Sequence, residues 1–297
     1  MSETAVYVVG SINIDHVYRV SRLPEAGETL QALDYAASLG GKGANQAIAA
    51  ARAGARVHMI GAVAADGNWA RRRLAAEGIS VDGVSVLEGS TGHARIEVDA
   101  RGENRIVLYA GVNRQLHMAD VRMALTGAQP GDWLLLQNET SLVVETARLG
   151  RAMGLKVAYS AAPFDPVAVF EVLEHVDLLA MNEVEAGQLA GHPGRGLQTR
   201  AVPMQLVTAG ARGASLHGER MALEAPVWPV TAIDTTGAGD VFLGYLVSAF
   251  ARGADAADAL REAAAAAALQ VTRPGTADAI PTRAEVRAWL DGMQASG

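Results

Sequence analysis

Short apolar segments alternate with segments of helical periodicity through the first two thirds of the chain. Continuous apolar runs bounded by polar residues predict strands that are buried on both faces, and they lie at Ala5–Val9, Val57–Val63, Trp133–Gln137, Lys156–Tyr159, Asp177–Met181 and Gln205–Thr208. The segments between them predict helices at Gly43–Ala53, Trp69–Ala76, Ser141–Met153 and Glu183–Ala190. This alternation is typical of an α/β fold in which helices cover both sides of a parallel sheet.

The pattern becomes wholly helical after Ile233. Helices are predicted at Ala238–Ala251, Ala254–Val271 and Thr282–Met293. The chain has no internal repeat and no segment with the composition of a disordered linker. We therefore expect a single domain over residues 1–297.

Two regions differ from the buried strands. His93–Asp99 alternates polar and apolar residues and turns back into Arg105–Tyr109, which predicts a hairpin with one wet face. Extended structure is also predicted on both sides of the turn at Pro24–Gly27, in Asp15–Val20 and Thr29–Tyr35. Together these segments, at about 13–37 and 91–112, predict a small sheet outside the main one. Such a sheet could be a surface ribbon, a lid over a site or a dimer contact, and the motifs below favour the last two.

Composition narrows the class of protein. The chain has 297 residues, of which 50% are apolar and 19% charged, enough for one large core. A formal net charge of −7 disfavours nucleic acid as a partner. We find neither a signal-peptide pattern nor an apolar run long enough to span a membrane. The absence of cysteine excludes disulfides and thiolate chemistry. We expect a soluble, cytoplasmic protein.

The segment Asp234–Asp240 carries the most informative chemistry. An apolar run of helical spacing follows it, so Gly237, Ala238 and Gly239 should lie at a helix N-terminus. Uncovered backbone N–H groups and the helix dipole make such a place suitable for a phosphate. A carboxylate in the first turn, Asp240, is placed to take the proton of a hydroxyl that attacks phosphorus. An ordinary capped helix with an aspartate in its first turn would give the same pattern.

A second glycine-rich segment, Gly40–Gln46, also opens a predicted helix. Its paired glycines allow a close approach of backbone to ligand, and Lys42 and Asn45 supply donors for hydroxyl groups. Asn13 and Asp15 follow the first strand and should lie at the same end of the sheet, where open α/β sheets bind ligands. Converging polar groups of this kind predict a polyol site, although each residue alone could be a turn or cap residue.

A third segment, Asn182–Glu185, directly follows a predicted strand. Its carboxylates and amide could hold water-coordinated Mg²⁺, or they could cap the following helix.

The chain has no phosphate-binding P-loop motif, no dinucleotide-binding glycine motif after its first strand, and no zinc or hydrolase signature. The candidate phosphate site therefore rests on the Asp234–Asp240 segment.

These segments, in their order, resemble the ribokinase family of carbohydrate kinases along nearly the whole chain. The matching pieces are Val9–Asp15, Pro24–Glu28, Gly40–Gln46, Gly102–Asn104, Asn182–Glu185, Thr208–Gly213, Asp234–Asp240 and Val271–Gly275. The resemblance implies a ribokinase-like three-layer α/β/α, Rossmann-like domain with a small β-sheet lid. It also implies a homodimer that forms through the lid.

The resemblance implies the following roles for the site residues. The sugar hydroxyls would be held by Asn13, Asp15, Gly41, Lys42, Asn45 and Glu139. Asp240 would be the catalytic base, and the anion would be bound by the amides of Gly237, Ala238 and Gly239. ATP would be bound by Asn182, Thr208, Gly210, Gly213 and Gly239, with Glu185 holding Mg²⁺ through water. K⁺ would be bound by Asp234 and the carbonyls of Thr236, Gln270, Arg273 and Gly275.

Some positions depart from the family pattern. The segment Ser160–Pro163 differs from the Asn-Pro-Ala-Pro sequence that is usual in the family. Ala264 lies where many relatives have a polar residue near the adenine, and Ala279 lies where a serine often helps to form the cation loop. The residues around Glu139 also differ. These departures concern nucleotide binding, potassium binding and substrate choice.

The expected reaction is transfer of the ATP γ-phosphate to the primary hydroxyl of a pentose, with ribose 5-phosphate as the leading product. Deoxyribose, a ketohexose or a nucleoside is the alternative acceptor on the same fold. A catalytically silent sugar-binding regulator would be expected to lose Asp240 or the anion-binding glycines, and both are present.

Overall fold

The structure is a computed structural model that describes residues 4–192 and 202–295, so the predicted domain over 1–297 extends beyond the described residues. The strands of the main sheet are β1 (Ala5–Val9), β4 (Arg56–Val63), β5 (Ser80–Val86), β8 (Trp133–Gln137), β9 (Lys156–Ser160), β10 (Leu178–Asn182), β11 (Met204–Thr208), β12 (Ala214–Gly218) and β13 (Met221–Glu224). Those of a smaller sheet are β2 (Asn13–Arg19), β3 (Asp34–Gly40), β6 (Gly92–Val98) and β7 (Asn104–Tyr109).

The helices are distributed along the chain as the sequence predicts, with two further short ones. They are α1 (Lys42–Arg52), α2 (Asn68–Ala76), α3 (Met118–Ala124), α4 (Val143–Ala152), α5 (Pro166–Val172), α6 (Glu183–Ala190), α7 (Ala238–Ala251), α8 (Ala256–Gln270) and α9 (Arg283–Ala295). Helix α4 begins two residues later than predicted because Leu142 has a left-handed backbone, with φ of 64°. In the described part of the chain, no helix has both the length and the apolarity needed to cross a membrane.

The main sheet has the order β13-β12-β11-β10-β9-β8-β1-β4-β5. It is parallel from β5 to β11, as predicted, but β12 and β13 are antiparallel and form one edge. Strand β5 forms the other edge, and its sequence, SVDGVSV, lacks the apolar run that marks the inner strands. Both edges were missed because edge strands carry polar residues on their open sides.

Both faces of the main sheet are covered, as the three-layer prediction requires. Side chains of β1 alternate between two hydrophobic clusters: Val6 and Val8 belong to the one that includes α1, α7 and α8. Tyr7 and Val9 belong to the one that includes α4 and α5. Successive residues of a strand point to opposite faces, so a fully apolar β1 requires helices on both sides.

The smaller sheet has the order β3-β2-β6-β7. Strand β2 is antiparallel to β3 and parallel to β6, and β6 is antiparallel to β7. The predicted strand at Thr29–Tyr35 is wrong in position: the strand that pairs with β2 runs from Asp34 to Gly40. Strand β7 forms an edge of this sheet, and every one of its residues is exposed. The prediction of a hairpin with one solvent-exposed face and one buried face is therefore wrong for this strand.

Candidate active site

The candidate site begins where β1 ends and α1 starts. Gly41 is the N-cap of α1 and has φ of 93°, a conformation that favours glycine. A Cβ at Gly41 would lie 2.9 Å from both the backbone nitrogen of Asn13 and the backbone oxygen of Ser11. A Cβ at Gly43 would lie 2.6 Å from the backbone of Gly10 and Ser11. The glycines therefore allow α1 to start directly against the end of β1.

Asp240 lies in the first turn of α7 and is 7% exposed. Its Oδ1 accepts a hydrogen bond from Gln46 Nε2 at 2.8 Å, and Asn45 Nδ2 lies 3.5 Å from Oδ2. Burial raises the pKa of Asp240, while the Lys42 ammonium and the bond from Gln46 lower it. Burial has the largest effect, so this carboxylate is a stronger base than an exposed one.

The carboxamide of Gln46 is held from its other end. Gln137, at the end of β8, donates from Nε2 to Gln46 Oε1 at 2.7 Å. Both glutamines are fully buried (0% exposed). Because Oε1 of Gln46 accepts from Gln137, its Nε2 must face Asp240.

Two polar residues of β2 lie at the base of the smaller sheet. Asn13 Oδ1 accepts from Asn113 Nδ2 at 2.8 Å, and Asn113 Oδ1 accepts from the backbone of Ile12 at 3.1 Å. Burial and the nearby Glu139 carboxylate raise the pKa of Asp15 to about 6. Both effects disfavour the ionised form of the Asp15 carboxyl.

Glu139 braces the start of α1. Its Oε2 accepts from the backbone nitrogen of Lys42 at 3.1 Å and from the hydroxyl of Ser11. The Lys42 side chain is surrounded by acids: Asp240 raises its pKa most, burial opposes this effect, and Glu139 and Glu185 raise it further. The ammonium therefore stays charged between the two halves of the site.

A cavity of about 430 Å³ adjoins Asp240. Its lining includes predicted site residues from α1, β10, α6, β11 and α7: Lys42, Asn182, Glu185, Thr208, Gly210, Gly237, Ala238, Gly239 and Asp240. Gly213 is not among the described lining residues; it forms the turn after β11, with φ of 93°. The structure thus brings the predicted phosphate, magnesium and nucleotide residues to one cavity, apart from Gly213.

Asn182 and Glu185 form a capping box at the start of α6. Asn182 Oδ1 accepts from the backbone of Glu185 at 2.9 Å, and Glu185 Oε2 accepts from the backbone of Asn182 at 2.8 Å. These two residues therefore cap α6, which is the alternative role predicted for this segment. The cap uses one oxygen of the carboxylate, so the residue keeps an oxygen for a hydrated ion in the cavity that it lines.

The predicted anion-binding turn, Gly237–Gly239, precedes and starts α7. Gly237 is the N-cap with φ of 79°, and the amide of Ala238 donates back to Thr235 at 3.3 Å. A Cβ added at Gly239 would meet nothing within 4 Å. The first amides of a helix have no partner within it, so those at Gly239 and Asp240 suit a phosphate oxygen on the open side.

The segment predicted to bind potassium forms a closed hydrogen-bonded loop. Asp234 accepts from the backbone nitrogens of Thr236 at 2.9 Å and Gly275 at 3.1 Å. Gln270 donates from Nε2 to the carbonyl oxygens of the same two residues. The side chain of Arg273 pairs with Glu285 at 2.8 Å.

The sequence predicts no role for four buried polar residues: Ser11, Gln46, Asn113 and Gln137. Gln46 is the last residue of a motif already recognised, so its position beside that motif was the available signal. Asn113 and Gln137 have no motif, and their contacts depend on chain segments about one hundred residues away, at separations of 100 and 91.

Comparison with known proteins agrees with this geometry. Residues 3–283 match the pfkB family of carbohydrate kinases. The chain is 36% identical over 299 residues to a ribokinase of Haemophilus influenzae, covering 96% of this chain and 97% of that one. It is 30% identical over 300 residues to a deoxyribokinase of Salmonella typhi, covering 96% and 98%. The solved structure of Arabidopsis thaliana ribokinase complexed with ribose and ATP matches with a TM-score of 0.85 at 29% identity, covering 97% and 99%.

Proposed function

The chain belongs to the pfkB family of carbohydrate kinases, and from this premise we propose that it phosphorylates the primary hydroxyl of a pentose. D-ribose is the acceptor that we favour, and ribose 5-phosphate is the product. The carrying observation is the buried carboxylate of Asp240, held by Gln46 beside the anion-binding turn and the adjoining cavity. The relatives named ribokinase support ribose as the acceptor.

In the proposed reaction Asp240 accepts the proton of the sugar hydroxyl as its oxygen forms a bond to the γ-phosphorus. The bond between that phosphorus and the β,γ-bridging oxygen breaks, and ADP leaves with the electron pair. The amides at Gly239 and Asp240 and the Lys42 ammonium stabilise the negative charge on the transferring group. The raised pKa of Asp240 improves its strength as a base.

We assign the polar groups at the base of the smaller sheet to the sugar. Asn13, Asp15, Asn45 and the backbone at Gly41 supply donors and acceptors for hydroxyls, and Glu139 holds that backbone in place. Deoxyribose is the second candidate, because the deoxyribokinase relative aligns over almost the same length. The two acceptors differ only at the 2-hydroxyl.

ATP occupies the 430 Å³ cavity in this proposal, with its phosphates directed toward the anion-binding turn. Thr208 and Gly210 line the nucleotide end, and Asn182 and Glu185 would hold a hydrated Mg²⁺. Mg²⁺ retains several waters when it binds proteins, which suits a carboxylate already engaged in a cap. The ion would neutralise charge on the phosphates.

We propose that the smaller sheet is a lid and also the contact of a homodimer. Asp15 pairs with Ala94, and Ala94 with Leu108, so these residues share the face on the sugar side. The opposite face carries exposed apolar groups, among them Val107 (66% exposed) and Tyr109 (55%). A second copy would cover them. We also propose a cytoplasmic location, where ATP is available.

The activity is tested by ADP formation from ATP and Mg²⁺ with ribose, deoxyribose, fructose and nucleosides in turn. The proposal expects the highest kcat/KM with ribose. A higher value with deoxyribose would replace ribose by the second candidate. If no sugar or nucleoside raises ADP formation above the background, the proposal fails and a non-catalytic sugar-binding role replaces it as the hypothesis to test.

A further inference from the structure

Helix α8 ends at Gln270, whose side chain joins two separate segments of the chain. Its Nε2 donates to the carbonyl oxygens of Thr236 at 2.9 Å and of Gly275 at 3.4 Å. Gln270 is fully buried (0% exposed). In this orientation the carboxamide N–H groups point toward both carbonyl oxygens, and Oε1 is buried without a hydrogen-bond partner among the described residues.

These two oxygens belong to the set that the family resemblance assigns to potassium. An ion that coordinates both oxygens would meet the N–H groups of Gln270, whose hydrogens carry partial positive charge. The ion and the carboxamide therefore compete for the same acceptors. The backbone oxygen of Gln270, also in the predicted set, already accepts from the backbone of Arg273 at 3.0 Å.

Two further observations argue against a bound cation. Asp234 already bonds the backbone nitrogens of Thr236 and Gly275, so both of its oxygens have partners. Ala279, which is 2% exposed, presents a methyl group where a hydroxyl often helps the cation loop. The residues present do not fit the potassium site that the sequence predicts.

We infer that the carboxamide of Gln270 takes the place of the monovalent cation, so that phosphoryl transfer in this protein does not require potassium. Thr236 directly precedes Gly237, the N-cap of α7. A hydrogen bond that fixes the carbonyl of Thr236 therefore fixes the start of the anion-binding turn. Gln270 is in this sense a positioning residue, and the inference rests on the proposed kinase activity.

A second link holds the same two segments together. The backbone nitrogen of Ile233 donates to the carbonyl of Val271 at 2.7 Å. Together with the Asp234 and Gln270 contacts, this bond connects the loop before α7 to the loop after α8 at several points. The neutral carboxamide provides the attachment by directed hydrogen bonds, whereas an ion would provide it by charge.

The kinetic test compares the rate in potassium, sodium and tetramethylammonium chlorides at equal ionic strength. We expect equal kcat and KM values in all three for the unaltered protein. Gln270→Ala removes the donor and opens space beside the two oxygens, so its kcat in tetramethylammonium should fall about tenfold and recover in potassium. Gln129→Ala is the matched control, because Gln129 also donates to a carbonyl, that of Gly127, but is exposed.

A second arm measures thermal unfolding without substrates. Potassium should raise the Tm of Gln270→Ala relative to tetramethylammonium, and should leave the Tm of the unaltered protein and of Gln129→Ala unchanged. If Gln270→Ala does not fold, Gln270→Glu serves instead, since a carboxylate cannot donate to the carbonyls and should require a cation.

Two outcomes overturn the inference. One is stimulation of the unaltered protein by potassium over tetramethylammonium. The other is a Gln270 variant that is fully active, or equally stable, without potassium. The thermal arm decides the question even if no sugar is phosphorylated, so failure of the proposed function and failure of this inference are distinguishable.

Discussion

Gln46 donates a hydrogen bond to Oδ1 of Asp240 at 2.8 Å, although 194 positions separate the two residues. The bond joins α1, which begins beside the proposed sugar site, to α7, which begins at the proposed phosphate site. It engages one carboxylate oxygen with a strong donor, so we propose that Oδ2, which has the longer contact to Asn45 at 3.5 Å, takes the proton of the substrate. In this proposal Oδ1 holds the carboxylate in position and Oδ2 accepts the proton.

Asp240→Asn should lower kcat by about 10²–10⁴-fold, because the amide cannot take the hydroxyl proton. The KM values for sugar and ATP should change much less, since the side chain keeps its shape. Steady-state kinetics measure both quantities, with the exposed Asp291→Asn as the control. A variant that turned over at the rate of the unaltered protein would show that Asp240 is not the base.

Gln46→Leu should move the acidic limb of the pH–rate profile to higher pH. The bond from Gln46 lowers the pKa of Asp240, so its loss raises that pKa and reduces the ionised fraction at a given pH. The base must be ionised to act, so activity falls most at low pH. The profile of kcat/KM from pH 5 to 9 tests this, and profiles that superimpose would contradict it.

Asp15→Asn should stabilise the protein at neutral pH while it weakens sugar binding. Burial and Glu139 raise the pKa of Asp15 to about 6 from 3.8, so the stability that it contributes is full below pH 3.8 and is lost as pH rises through 6. The variant does not bear this cost, which is at most about 3 kcal/mol at neutral pH. Urea unfolding at pH 7 and pH 3.5 should show a gain that disappears at the lower pH. A loss of stability at pH 7 would contradict the prediction.

Gly43→Ala should destabilise the fold by about 1–3 kcal/mol, because the added methyl would overlap backbone that cannot move aside. Its Cβ would lie 2.6 Å from the carbonyl carbon of Gly10. Gly187→Ala in α6 is the control, because a Cβ there would meet nothing within 4 Å. The control should gain up to about 1 kcal/mol from helix propensity. Equal effects at the two positions in urea unfolding would refute the packing argument.

Val107→Lys should convert the proposed homodimer to a monomer. The KM for the sugar should be the same in this monomeric variant as in the unaltered protein. Val107 pairs with Arg95 and so lies on the face opposite Asp15, where a charge would be buried by a second copy. Mass measurement in solution tests the change, with Met123→Lys, at a similarly exposed position on α3 (75%), as the control. An unaltered protein that is already monomeric would refute the dimer.

The sequence predicted those parts of the fold in which buried positions are all apolar and so give a simple pattern along the chain. Strand β1 is apolar at every position, so its place inside the sheet was readable. Strand β5 and the β12–β13 hairpin were not, because edges mix polar and apolar residues. The error at Thr29–Tyr35 has a related cause: the register of β3 is set by pairing with β2, which no local pattern records.

The site shows the same division. Asp240 and the glycines before it could be placed because a helix start has a local signature. The support of Asp240 could not, because Gln46 reaches Asp240, and Gln137 reaches Gln46, only after three distant segments have packed together. The donor role of the Gln270 side chain depends on distant contacts in the same way, since the sequence pattern predicts a helix end and the resemblance implies a role for its carbonyl alone.

Asn13 opens β2 and Gly40 closes β3, and these two residues pair with each other. Strands β2 and β3 of the smaller sheet thus meet at Asn13 and beside Gly41, two of the residues proposed to bind the sugar. A sugar bound at this junction would restrict the motion of the smaller sheet relative to the main sheet. Redesign of the acceptor pocket would for that reason also change how fast product escapes.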